Sequence, residues 1–208
     1  PPARSHTPGP DRTPSPSGSA VESPSPSAGP SRDSVEPTEP VPDSAMLQPQ
    51  DVGPGYRVGS PQGYEDGDLT WLFGAVCGQG TWTRAKTVAG NVRALERTGQ
   101  PTVFEVVNRY APGHARQYLT DLIATTDRCR TMKSDDRTIT LTIVDHDIAG
   151  DAGILIRIDD SAAPSDTRYE VFVRQGELVA SIWARSEEQG RALAGKAAAR
   201  LCVATPTC

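Results

Sequence analysis

Residues 168–185 read RYEVFVRQGELVASIWAR, and this stretch decides the fold. Two runs rich in β-branched and aromatic residues flank Gln175-Gly176. Glycine accepts the positive φ that a tight hairpin turn requires, so the pattern predicts two antiparallel strands joined at this dipeptide. We therefore expect Gly176 to have a positive φ and the hairpin to be a central structural unit.

Four more extended runs precede this hairpin. Residues 89–98 (AGNVRALERT) and 101–110 (PTVFEVVNRY) flank Gly99-Gln100, a second hairpin signal. Residues 137–147 (RTITLTIVDHD) and 152–160 (AGILIRIDD) alternate apolar and polar side chains, which is typical of strands buried on one face. The apolar positions of these two strands are Ile139, Leu141, Ile143, Ile154, Ile156 and Ile158.

Two segments have helical periodicity. Residues 111–129 carry Pro112 near the first turn, and residues 186–202 begin with the capping-box pair Ser186 and Gln189. The apolar stripe of the first is Ala115, Tyr118, Leu119, Leu122, Ile123 and Thr126. The order β-β-α-β-β-β-β-α predicts one α+β domain, a disulfide-stabilised antiparallel sheet of about six strands covered on one face by two amphipathic helices.

The N-terminal part of the chain differs in composition. Residues 1–42 contain 12 of the 19 prolines, 12 Ser or Thr, and no aromatic residue. Such a segment buries too little apolar surface to offset its chain entropy, so we predict a disordered tether over 1–42 and the α+β domain over 43–208. At the start of that domain, residues 45–56 (AMLQPQDVGPGY) predict a short helical turn stopped by Pro49 and the Gly53-Pro54-Gly55 cluster.

The net charge and the lack of long apolar stretches limit the kinds of partner that the chain can bind. The net charge is -5, which gives no basic footprint for nucleic acid, so we expect no nucleic-acid binding. No stretch approaches the ~18 apolar residues of a membrane span. We expect any membrane association to come only from an anchor upstream of Pro1.

The cysteines indicate the compartment. The four are Cys77, Cys129, Cys202 and Cys208. They form no C-x2-C pair and keep no ligand-like spacing to a histidine, so we predict disulfides and neither a metal nor another cofactor. Disulfides persist in oxidising compartments, which predicts an extracytoplasmic location.

The pairing of these cysteines has two candidate solutions. Pro206 lies between Cys202 and Cys208 and favours a chain reversal, so we predict a Cys202–Cys208 bond that fastens the terminus to the last helix. That leaves Cys77 with Cys129. The competing pairing joins Cys77 to Cys208 and Cys129 to Cys202.

Candidate catalytic and metal-binding groups are few. His146 lies between Asp145 and Asp147, but neighbours in a strand point to opposite faces and the sequence has no G-x-S-x-G elbow. We interpret His146 as a solvent-exposed strand-end residue and predict no enzyme activity. The acidic run with Asp159, Asp160 and Asp166 lacks the spacing of a calcium loop and predicts a polar hairpin loop.

Two tryptophans are candidate ligand-binding residues. Trp71 and Trp82 lie in a region rich in glycine, where exposed aromatic residues often mark binding surfaces. The alternative interpretation, which we favour, is that both fill gaps in the core, because Trp is usually largely buried.

Several segments together resemble the actinobacterial extracellular sensor-type domains found outside PknH-like serine/threonine kinases and in related lipoproteins. The segments are the Pro/Ser-rich tether, AVCGQG at 75–80, a helix ending at Cys129, VFVRQGELVASIWA at 171–184 and ALAGKAAARLC at 192–202. The resemblance covers residues 44–208. It implies a non-enzymatic, disulfide-stabilised α+β domain with a ligand-binding cleft, exported and often lipid-anchored.

We therefore expect an extracytoplasmic ligand-binding or sensor-like domain from a surface-tethered lipoprotein. Its expected partner is an unidentified small molecule, a cell-wall component or an envelope protein. The alternatives are an exported hydrolase or protease-associated factor, and a structural cell-envelope domain.

Overall fold

A computed structural model describes residues 39–60, 87–133, 136–206 and 208. The chain divides into two units, Pro1–Glu36 and Pro37–Cys208, and the described residues all belong to the second. Most of the predicted tether lies outside the described residues, so its disorder stays a prediction.

The described part of the second unit contains one 3-10 turn, three α-helices and eight strands. In chain order they are the 3-10 turn Asp43–Ala45, α1 (Pro49–Val52), β1 (Arg57–Val58), β2 (Thr87–Arg97), β3 (Gln100–Tyr110), α2 (His114–Arg128), β4 (Thr131–Lys133), β5 (Thr138–His146), β6 (Ala152–Asp160), β7 (Arg168–Gln175), β8 (Leu178–Ala184) and α3 (Glu187–Val203).

The strands form one sheet in the order β1-β2-β3-β8-β7-β6-β5-β4, and every pair of neighbours is antiparallel. This confirms the α+β class and the antiparallel sheet. The predicted counts of about six strands and two helices are wrong. The extra elements, β1, β4 and α1, have two to four residues each, which is too short for a periodic pattern to show.

The two long helices lie on opposite faces of the sheet, so the prediction that both cover one face is wrong. α3 packs with Leu155, Val171 and Val173, whereas α2 packs with Ile156 and Phe172. Successive residues of a strand point to opposite faces, and these strands carry apolar residues at consecutive positions. Both faces therefore had to be covered.

The folded unit begins earlier than predicted. Val41, which we had assigned to the tether, is buried in the core on the α3 face, and its carbonyl accepts a hydrogen bond from the Asn91 side chain (3.3 Å). Pro49 is the first residue of α1 rather than the end of a helix. Its fixed φ suits that position, and the N–H it lacks would have had no partner within the helix.

The β7–β8 hairpin forms as predicted. Gln175 pairs with Leu178, and Gly176 has a φ of +57°, which confirms the expected positive value. The C-terminal segment packs on this turn, since a Cβ added at Gly176 would lie 2.9 Å from the Thr205 side chain. Cys202 is bonded to Cys208, with the two Cα atoms 5.4 Å apart, which confirms the predicted terminal disulfide.

The same turn also caps α2. Gly113, at the N-cap of α2, supplies no side chain. The Glu177 carboxylate instead accepts hydrogen bonds from the N–H groups of Gly113 (2.7 Å) and Ala115 (3.4 Å). A negative charge there also complements the helix dipole, so the hairpin positions α2.

Replacing Gly176 with Val should destabilise the protein. A β-branched residue at this φ costs about 1–2 kcal/mol, and its Cβ would contact Thr205. We expect the melting temperature to fall by roughly 2–8 °C, measured by thermal unfolding. Gly195 is the matched control, because it is exposed in α3 with nothing near its added Cβ. Gly195→Ala should not destabilise, and an unchanged melting temperature in Gly176→Val would contradict this account.

Candidate functional site

The α2 face of the sheet contains a buried carboxyl group, Glu170 of β7. Its neighbour across the strand pair is Trp183 of β8, and Ser181 lies two residues before that on the same face. The Ser181 hydroxyl donates a hydrogen bond to Glu170 Oε1 (3.0 Å), and the Trp183 side chain is also hydrogen-bonded to Glu170. Together, Glu170, Ser181 and Trp183 form what we call the β7–β8 polar site.

Two aromatic rings border this site. Phe104 of β3 and Trp183 meet edge to face, with ring centroids 5.9 Å apart, and both are half-buried. Ser181 pairs with Val106 across β3–β8, which places Phe104 and Val106 on the same face as Glu170. The carboxyl group therefore lies beside an aromatic pair that is accessible in part.

Burial raises the pKa of Glu170 to about 7, and the hydrogen bonds from Ser181 and Trp183 offset only part of that effect. Among the described residues, no charged group contributes to the shift. A buried carboxylate without a countercharge is unfavourable, so Glu170 gains and loses a proton near neutral pH. When ionised, Glu170 is a buried negative charge that can accept hydrogen bonds.

A second buried carboxyl group, Glu105 of β3, lies on the opposite face, under the segment that precedes β1. Its Oε2 accepts a hydrogen bond from the Leu47 N–H (2.6 Å), whereas its Oε1 is buried and has no hydrogen-bond partner among the described residues. The Leu47 carbonyl accepts a hydrogen bond from Arg93 (3.0 Å). Two adjacent strands thus bind the backbone of a single residue.

The structure does not bring His146 and its aspartates into a catalytic arrangement. Asp145 accepts a hydrogen bond from the His146 backbone N–H (2.8 Å) and pairs with Arg191 of α3. The Arg191 guanidinium lowers the pKa of Asp145. Asp147 follows the strand with a φ of +53°, and His146 is exposed. The interpretation of His146 as an exposed residue is confirmed.

The acidic residues around the β6–β7 loop are paired with arginines. Asp159 binds Arg157 (2.9 Å) and the Thr167 hydroxyl, and Asp166 pairs with Arg168 (3.5 Å). Asp160 lies 3.6 Å from Arg137 and accepts a hydrogen bond from the Ala162 N–H. Within the described ranges, no group of three His, Cys, Asp or Glu residues could hold a metal ion.

The other predicted site residues are Trp71, Trp82 and Cys77, and all three lie outside the described residues. Cys129 ends α2 and is disulfide-bonded, but its predicted bond to Cys77 stays a prediction. In the part of the chain that the structure describes, no helix is both long and apolar enough to cross a membrane.

Sequence reasoning missed both buried glutamates. Each lies within an apolar run, in TVFEVV at 102–107 and in YEVFV at 169–173. Because apolar residues occupy consecutive positions around them, both faces of these strands are buried, and a Glu on either face lies in the interior. Both stretches were interpreted only as extended runs that flank hairpin turns.

No protein-family model matches the chain, and no curated protein matches it either. The resemblance to actinobacterial sensor-type domains therefore stays a prediction.

Replacing Glu170 with Gln should change how stability depends on pH. The pKa of Glu170 is raised from 4.5 to about 7 on folding, so its protonation stabilises the folded state. That contribution is complete below pH 4.5 and is lost as the pH rises through 7. The melting temperature of Glu170→Gln minus that of the natural protein should therefore increase between pH 5 and pH 8. Gln can still accept the Ser181 hydrogen bond. Any change in packing that it causes would shift the melting temperature by the same amount at every pH. Parallel curves would show that Glu170 does not titrate as described.

Proposed function

We propose that residues 37–208 form an extracytoplasmic, non-catalytic binding domain of sensor type, tethered by the Pro/Ser-rich segment before it. The observation that carries the proposal is the β7–β8 polar site, a buried carboxyl group without a described countercharge beside an aromatic pair. A bound cation would supply the missing charge, and aromatic faces attract cations. The ligand class is therefore an amine or ammonium compound, such as an amine-bearing cell-wall fragment.

The terminal disulfide supports the extracytoplasmic part of the proposal. Cys202–Cys208 closes a short loop at the last residue of the sequence. Such an exposed bond persists where the surroundings are oxidising and is reduced in most cytosols. Attachment as a surface lipoprotein belongs to the same proposal.

Binding is tested by thermal unfolding at pH 7.5 with spermidine, choline and soluble muropeptides as separate probes. At about 100 times its dissociation constant a ligand stabilises by ~2.7 kcal/mol, which corresponds to roughly 5–10 °C for a chain of this size. We expect one of these amines to raise the melting temperature and Glu170→Gln to abolish the increase. Glu105→Gln is the matched control, because it removes a buried carboxylate from the opposite face and should retain binding. An increase that persists in Glu170→Gln, or no increase with any probe, would contradict the proposal.

The location is tested on protein from the cells that naturally make it, with thiols trapped by iodoacetamide at lysis. We expect non-reducing peptide mapping to return a C-terminal peptide in which Cys202 and Cys208 are linked. Protein produced in a reducing cytosol is the control and should carry both as alkylated thiols. Alkylated thiols in the native sample would place the protein in a reducing compartment.

A further inference from the structure

The segment that precedes β1 is fastened to the sheet mainly through the backbone of Leu47. Glu105 of β3 binds its N–H and Arg93 of β2 binds its carbonyl. The side chains of Ala45, Met46 and Leu47 are fully buried on the α3 face. We call residues 41–52 the strap, since they cross this face and are held at several points.

Two ion pairs also attach the strap to the rest of the domain. Arg93 also pairs with Asp43 in the 3-10 turn (2.9 Å), so one guanidinium binds the strap at two places. Asp51 of α1 accepts hydrogen bonds from Arg200 of α3 (2.8 and 3.2 Å). The hydrogen bonds from Arg200 and from the Gln48 N–H lower the pKa of Asp51 against the opposing effect of burial. The strap is thereby connected to β2, β3 and α3.

Charged groups of both signs lie around Glu105, and Lys196 of α3 acts in turn on Asp51. Arg93 of β2 and Arg200 of α3 face it with positive charge, whereas Asp51 of α1 and, through Arg93, Asp43 of the 3-10 turn supply negative charge. From β8, the residue paired with Glu105 is the apolar Ile182. Ionisation of Glu105 would place a charge in the interior, where its Oε1 has no hydrogen-bond partner among the described residues.

We propose that residues 41–52 are a pH-responsive strap, docked on the sheet while Glu105 is neutral and released increasingly as the pH rises. Burial raises the pKa of Glu105 to about 8, from an ordinary value of 4.5 that it would regain once the strap leaves. Docking is therefore strongest below pH 4.5, and its free energy falls as the pH rises towards 8. The inference does not depend on the proposed ligand.

Hydrogen exchange of the full chain at several pH values between 5.5 and 8 tests the strap. Protection of the Leu47 amide is corrected for the pH dependence of intrinsic exchange and compared with amides of β7 and β8, which report global unfolding. We expect the protection of Leu47 to fall by up to about tenfold per pH unit, because release is linked to loss of one proton, and to stay below that of β7 and β8 at every pH. Protection of Leu47 that does not change with pH, or that equals the protection of β7 and β8, would overturn the proposal.

Two glutamate variants make the test specific. In Glu105→Gln the amide can still accept the Leu47 hydrogen bond but carries no titrating proton, so the pH dependence at Leu47 should disappear. Glu170→Gln is the matched control and should retain it. The proposal would be overturned if the protection of Leu47 still depended on pH in Glu105→Gln, or if it no longer did so in Glu170→Gln. Asp51→Asn gives a further check. It weakens the contact with Arg200, so it should lower the protection of Leu47 throughout the pH range. Unchanged protection would show that residues 41–52 are not held as described.

Discussion

The burial of the central strands on both faces is the constraint on which the rest of the structure depends. In β6 and β7 the apolar side chains alternate between two cores, with Leu155 and Val171 in one and Ile156 and Phe172 in the other. A sheet of this kind needs a layer on each side. The connectivity supplies both layers, since α2 connects β3 to the distant edge strand β4 across one face, and α3 follows β8 and covers the other. Between the helices, strands β4 to β8 return stepwise until β8 pairs with β3.

Glu105 and Glu170 are fully buried within strands of this sheet, and this burial makes them its chemically distinctive groups. Each has specific hydrogen-bond donors, Ser181 and Trp183 for Glu170 and the Leu47 backbone for Glu105. Burial favours the neutral acid in both cases. The two groups differ in what surrounds them. Charged groups of both signs act on Glu105, whereas no charged group among the described residues shifts the pKa of Glu170, which lies beside an aromatic pair.

Local patterns were enough to predict the hairpins, both long helices and the terminal disulfide. The β7–β8 turn follows from one glycine between two β-rich runs, and the Ser186–Gln189 cap is confirmed by a 3.1 Å hydrogen bond. The placement of α2 and α3 on opposite faces depends on contacts between strands far apart in sequence, and periodicity within one strand does not report those contacts. Local sequence does not predict the burial of Val41 either. This valine lies between prolines and is part of the core because of its contacts with Asn91 and the α3 face. The β7–β8 polar site likewise needs the register of β7 against β8 before Glu170 and Trp183 become neighbours.

The terminal cysteine is explained by the turn that it helps to cover. After α3 ends, the Thr205 hydroxyl donates a hydrogen bond to the Leu201 carbonyl (2.8 Å), and its methyl group packs over Gly176. Without the disulfide, the segment after α3 would be free to move away from this turn. The bond from Cys208 back to Cys202 restricts the chain to conformations that keep Thr205 close to the helix end. Since Glu177 of the same turn caps α2, the β7–β8 hairpin contacts the start of one helix and the end of the other. The disulfide therefore stabilises more than the last few residues, because it helps to hold the turn against which both helix layers are positioned.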